Sequence, residues 1–92
     1  MSGDGSQNLF RVEITPAAQR DMRGLPKDVV RRLDPHIRGL SADAYPANSI
    51  RLVNEGGLRR MRIGNYRVLY EVDDAARVIR IARVKHRKDA YR

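Results

Sequence analysis

Basic side chains recur at two-residue spacing in the last third of the chain: Arg60 and Arg62, then Arg83, Lys85 and Arg87, with Tyr66-Arg67 between the two runs. That spacing puts side chains on one face of a strand. A guanidinium is planar, permanently charged and able to bind two phosphate oxygens at once. Arginines so arranged suit the holding of a phosphodiester and the stabilisation of charge that builds up on it. They are poor proton acceptors, because arginine stays charged up to a pH above about 12. The titratable groups nearby are His86, Lys85 and Lys88. There is no cysteine, which removes disulfides, thiolate metal sites and cysteine nucleophiles together. His36 and His86 are the only histidines, too few for a metal site of ordinary type, and no metal or other cofactor is expected.

The 92 residues carry 19 Lys+Arg against 11 Asp+Glu, a formal net charge of +8. Residues 1–50 hold 7 basic and 6 acidic side chains, a net of +1, whereas residues 51–92 hold 12 and 5, a net of +7. Arginine outnumbers lysine 16 to 3; codon bias explains that choice but not the surplus in one half. Charge concentrated in this way points to a polyanionic partner, nucleic acid first of all. An antiparallel sheet with one solvated face shows the same alternation, so the residues alone leave both readings open.

These side chains need a sheet to hold them and helices to cover its other side. Apolar residues are 41% of the chain, enough for one modest core. The length allows one domain, over residues 9–92, behind a Gly/Ser-rich tail, residues 1–8, expected to be disordered. Residues 9–15 alternate, Phe10, Val12 and Ile14 against Arg11 and Glu13, as a half-buried strand does. Thr15-Pro16 offers an N-cap residue with proline at the first helical position. Ala18, Met22 and Leu25 share a face of a short helix that Gly24 and Pro26 stop. A second helix starts near Pro26 with Val29 or Val30, Leu33, Ile37 and Leu40 on one face. Pro35 inside it should kink it or split it after Leu33. Residues 41–49 read as a loop.

Strands follow over residues 50–53, 58–63, 66–72 and 77–84, joined by turns at 54–57, 64–65 and 73–76. The order β-α-α-β-β-β(-β) describes a small two-layer α+β domain, its sheet mostly antiparallel, with a helical hairpin on one face. Val68, Leu69, Val72, Ile79 and Ile81 are expected in the core, Tyr66 and Tyr70 share a strand face, and His36 is solvated. No stretch approaches the ~20 apolar residues that span a bilayer, and no apolar segment follows the N-terminus as in a signal peptide. The expected compartment is the cytoplasm.

Two stretches carry a resemblance. LRRMRIGNYRVLYEV, residues 58–72, and VKHRKDAY, residues 84–91, resemble the RelE/ParE family, toxin components of bacterial type II toxin–antitoxin systems. The specific part is an R-x-R-x-G-x-Y-R-x-x-Y run followed by V-x-H-R-x-D-x-Y. The opening strand, the Thr15-Pro16-Ala17 helix start and the Leu25-Pro26 junction agree with it. Pro35, the wording of residues 41–49 and an end one residue after Tyr91 depart from it; that end leaves no C-terminal helix of the kind some relatives carry.

The resemblance implies a RelE-like fold and, for RelE-like members, a metal-independent endoribonuclease that enters the ribosomal A site and cuts mRNA, inhibiting translation. Its partners would be mRNA, the ribosome and a cognate antitoxin protein that wraps the same basic surface, with no membrane involved. The chemistry is attack of a ribose 2'-hydroxyl on the adjacent phosphate, giving a 2',3'-cyclic phosphate and a free 5'-hydroxyl. It needs removal of the 2'-proton, stabilisation of the phosphorane and protonation of the leaving 5'-oxygen.

Matched to the family's motif, Arg60 and Arg62 fall where relatives carry basic residues near the nucleophile. Arg67 falls where an arginine meets the scissile phosphate, Arg87 where one serves phosphate and leaving group, and Tyr91 where an aromatic ring stacks on a base. Arg59, Arg83, Lys85 and Lys88 would contribute RNA binding. Some relatives have lysines in place of Arg60 and Arg62, so proton removal here is either weakly assisted or falls to His86. Packing on the sheet or bonding to backbone is the competing role for that histidine. Two other classes stay open: a ParE-like inhibitor of DNA gyrase that cuts no RNA, and a non-catalytic RNA-binding module. Four phosphate-directed arginines with Tyr91 favour the nuclease, since a protein-binding surface has no need of them.

Overall fold

Alternation over Arg11–Ile14 builds strand β1, with Val12 and Ile14 packed against the core. The chain leaves the sheet at Thr15, whose hydroxyl accepts from the Ala18 N–H and donates to the carbonyls of Ile81 and Ala82 at 2.9 and 3.1 Å. Helix α1, Pro16–Arg23, follows with proline in its first turn, where a missing N–H costs nothing. Gly24 closes it and Pro26 opens α2, Lys27–Gly39. The computed structural model describes residues 9–90; the tail expected over residues 1–8, and Tyr91 and Arg92, lie outside them.

Helix α2 runs unbroken through Pro35, so the split expected after Leu33 does not occur. Leu33, Ile37 and Leu40 bury one stripe across the proline. Each is worth roughly 1.5–3 kcal/mol, against about 3 kcal/mol for a proline inside a helix.

Strands β2 (Ser49–Arg51), β3 (Arg59–Ile63), β4 (Tyr66–Asp73) and β5 (Val78–His86) complete a five-stranded sheet of order β1-β5-β4-β3-β2. Strand β1 runs parallel to β5 and the other pairs are antiparallel, which is the expected α+β architecture. One turn of helix, α3 (Arg87–Ala90), follows β5. It corrects the expectation of no C-terminal helix. It also takes Arg87 off the strand, so the alternation of Arg83 and Lys85 does not extend to that residue.

One sheet face packs on the helices. Met61, Ile63, Val68, Tyr70, Ile79, Ile81 and Val84 are buried there with Ala18, Val29, Leu33 and Ile37. The Tyr70 hydroxyl donates to the Ala44 carbonyl at 2.8 Å and pins the loop before β2. Strict alternation would put Ile79 and Ile81 on the face of Arg83 and Lys85. The register instead slips: Tyr70 pairs with Ile81 and Leu69 with Arg83, which leaves Ala82 as the extra residue of a β-bulge. The bulge keeps the isoleucines in the core while it turns Arg83 and Lys85 to the open side. Leu69, expected in the core, is half-buried on that open side, between Arg60 and Arg83.

Candidate functional site

Directly opposed residues on neighbouring strands share a face, their Cβ atoms roughly 4.5–5.5 Å apart. The register therefore aligns Arg62 of β3, Arg67 of β4 and Lys85 of β5 in one row on the open face, next to the β3–β4 turn. The adjacent row holds Ile50, Arg60, Leu69 and Arg83. Among the described residues no carboxylate comes within ion-pair distance of Arg62, Arg67 or Lys85. Like charges set opposite one another weaken strand pairing, so this row costs the fold stability. At the far end of the same face Glu13, Arg80 and Glu71 form a row of alternating sign, with both carboxylates 3.7 Å from Arg80.

Arg67 is only 6% exposed. Its Nη1 donates to the carbonyls of Gly64 and Tyr66, each at 2.9 Å. A guanidinium has five N–H groups. Two are engaged with backbone, and the Nε–Nη2 edge, which can grip two oxygens side by side, has no acceptor among the described residues. Arg67 lines a groove of about 410 Å³ together with Ala47, Asn48, Ile50, Arg60 and Arg62. Asn48 braces the groove by exchanging hydrogen bonds with the Arg62 backbone, at 2.7 and 2.9 Å. A larger hollow of about 780 Å³ beneath residues 51–57 shares no residue with the basic row.

The two-residue turn Gly64-Asn65 organises the rest of the site. Gly64 adopts φ 58°, a conformation that favours glycine. Its carbonyl holds Arg67, and the Asn65 carbonyl accepts the Arg87 N–H at 2.7 Å. Arg32 of α2 reaches the same turn, its Nη1 3.9 Å from where a Gly64 Cβ would stand. Strand-face reasoning could not find Arg32 because it belongs to a helix in the nearly neutral half of the chain. Asn48 and Ile50 were equally hidden, since their places depend on how β2 pairs with β3.

The remaining sequence candidates scatter. His86 pairs with Tyr66 on the helix-covered side, its ring edge-on to the tyrosine with centroids 5.3 Å apart. Its Nδ1 accepts the Lys88 N–H at 3.2 Å. Of the titratable candidates, the register sets Lys85 rather than His86 beside Arg67. Arg83 makes two hydrogen bonds to Asp21, Nε to Oδ2 at 2.9 Å and Nη2 to Oδ1 at 3.1 Å, and the same carboxylate accepts the Val84 N–H. The bond from Arg83 foremost, helped by the Val84 N–H and opposed by desolvation, holds the Asp21 carboxyl below the usual carboxylate range. Arg59 lies on the helix-covered side, donating to Ser49 Oγ at 2.9 Å with its guanidinium 4.9 Å from the Tyr45 ring centroid. It does not line the groove. Arg87 and Lys88 are exposed on α3, His36 is exposed on α2, and Tyr91 lies outside the described residues. Among the described residues, no three His, Asp or Glu side chains come together as a metal-holding group, and no helix is long and apolar enough to cross a membrane.

The same chain is recognisable by comparison. A family model described as the ParE toxin of the type II toxin–antitoxin system parDE matches residues 12–91. Toxin RelG of Mycobacterium tuberculosis is 32% identical over 84 residues, which cover 90% of this chain and 97% of RelG. The crystal structure of the M. tuberculosis toxin–antitoxin complex RelBE2 contains a chain similar to this one at a TM-score of 0.78 and 32% identity, covering 86% of this chain and 99% of that one. An archaeal RelE–RelB complex from Pyrococcus horikoshii gives a TM-score of 0.77 at 31% identity, covering 88% and 98%. The fold, the cation row and the likeness over nearly the whole length agree: the chain belongs to the RelE/ParE family of toxins of type II toxin–antitoxin systems.

Proposed function

We propose that the chain is an endoribonuclease that cuts ribosome-bound mRNA in the cytoplasm by attack of a ribose 2'-hydroxyl on the neighbouring phosphate. The observation that carries this reading is Arg67, a guanidinium only 6% exposed, flanked in its row by Arg62 and Lys85, with no carboxylate partner among the described residues. Covering a charge without a counter-charge costs several kcal/mol, and a bound phosphate would offset that cost. The open edge of Arg67 grips two phosphate oxygens while Arg60 and Arg62 neutralise charge from the groove wall. Negative charge grows towards the phosphorane, so these contacts strengthen in the transition state; one such donor is typically worth a factor of about 10²–10³.

Lys85, beside Arg67, takes the 2'-proton when its amine is in the neutral form, and Arg87, tethered at the turn, stabilises the leaving 5'-oxygen until water protonates it. Tyr91 offers a stacking face for a base. Lys88 adds attraction for the RNA backbone from α3, whereas Arg83 and Arg59, tied to Asp21 and Ser49, act through their field. Guanidinium charge does what a metal ion does in other phosphoryl-transfer sites. A cognate antitoxin protein covering the basic face would keep the toxin silent, in keeping with the toxin–antitoxin complexes formed by the relatives.

The parDE description of the matching family model favours a second reading, inhibition of DNA gyrase. Purified protein added to a translating extract and, separately, to a gyrase supercoiling reaction distinguishes them. Cleaved mRNA with 5'-hydroxyl and 2',3'-cyclic phosphate ends is the expected result. Intact RNA with supercoiling lost would replace the proposal with the ParE-like activity, and no effect on either would leave a non-catalytic RNA-binding module.

A further inference from the structure

We propose that His86 is a positioning residue: as a neutral imidazole it caps α3 through Nδ1 and so holds Arg87 at the Gly64-Asn65 turn. The nuclease reading supplies only the use to which Arg87 is put; the cap itself stands on geometry. Where β5 passes into α3, the Arg87 N–H makes the last rung of the β4–β5 ladder and the Lys88 N–H turns to a side chain instead. The Arg87 N–H goes to the Asn65 carbonyl at 2.7 Å and the Lys88 N–H to His86 Nδ1 at 3.2 Å. Two consecutive donors are thus clamped, and together they fix the direction in which the Arg87 side chain starts. The imidazole is held in turn by Tyr66, its cross-strand partner, which meets it edge-on at an interplanar angle of 82°. A ring nitrogen that accepts carries no hydrogen, so any ring proton sits on Nε2. Full protonation puts hydrogen on Nδ1 as well, and a donor then faces a donor.

The cap is therefore a property of the neutral ring. Lys85, Arg87, Lys88 and Asp89 surround it along the chain, Tyr66 faces it from β4, and Asp21 and Arg83 border the groove of about 400 Å³ between β5 and α1.

Two amide side chains separate the two ring nitrogens. The asparagine amide oxygen stands where Nδ1 stands, whereas the glutamine amide reaches only to the place of Nε2. The test reads protection of the Lys88 amide by NMR hydrogen exchange in RNA-free protein, and the Kd for a fully 2'-O-methylated RNA oligonucleotide that cannot be cut. In His86→Gln, Lys88 protection should fall about tenfold and affinity about fivefold, the size of a lost helix cap. In His86→Asn both should stay within about twofold of the wild type.

Unchanged Lys88 protection in His86→Gln, or a better result for Gln than for Asn, would overturn the cap. Lys88 protection that responds while RNA affinity does not would overturn the link to Arg87. The exchange readout needs no RNA. A chain that binds no RNA but shows the Lys88 response would thus sink the nuclease reading alone.

Discussion

Two rows on one sheet face use the same three-strand geometry to opposite ends. In the row Glu13–Arg80–Glu71 the arginine is 40% exposed in its side chain and has a carboxylate 3.7 Å away on each side. In the row Arg62–Arg67–Lys85 the arginine is 6% exposed as a residue and has a cation on each side. The first row helps its strands pair; the second opposes pairing and persists because the apolar face beneath outweighs it. Arginine by itself therefore says little about role. An arginine between carboxylates is part of the scaffold, whereas a covered one between cations, bonded only to backbone carbonyls, keeps an edge open to an anion.

The sharpest way to break this contrast is Arg67→Ala. Single-turnover RNA cleavage should slow by about 10²–10³, while the melting temperature holds or rises because a covered cation has gone. An active Arg67→Ala protein would put Arg67 in the same class as Arg80. Next in size is Ile50→Glu, which gives the basic groove the counter-charge that the other row already has. RNA affinity measured across a salt series should drop by about tenfold, with a slope shallower by about one counterion, at unchanged thermal stability.

Asp21→Asn examines the cation that a carboxylate has already claimed. The folded-state pKa of Asp21 lies below the unfolded value, so its stabilisation is present above about pH 4 and is lost as pH falls through the folded pKa. Urea unfolding should show the variant weaker by about 1 kcal/mol at pH 7, with the gap closing towards pH 3. The smallest effect belongs to Arg80→Gln: cleavage within about twofold of wild type and at most about 1 kcal/mol of stability lost, because its ion pairs are half-exposed.

Much of this was legible before the fold. Alternation found β1 and the three long strands, Thr15-Pro16 marked the start of α1, and the spacing of Leu33, Ile37 and Leu40 marked the buried stripe of α2. The motif around Tyr66-Arg67 named the family. What the sequence withheld depends on register. No pattern within one strand says that Arg62 and Lys85 flank Arg67, or that an extra residue at Ala82 lets Ile81 and Arg83 face opposite ways. Arg87 was misplaced on a strand because the alternation continues in the letters beyond the point where backbone pairing stops. Arg32 was missed because nothing local to a helix reveals which distant turn it will touch.

The parallel pairing of β1 with β5 has a consequence for how the molecule comes into being. The first strand made finds its partner in the last, Arg11 beside Val78, so the sheet closes through a contact between distant parts of the chain. Such contacts form late and slow folding. A polypeptide halted anywhere before Val78 has β1 unpaired and Arg67 without Lys85. The sheet and its cation row are thus completed only once β5 has been made.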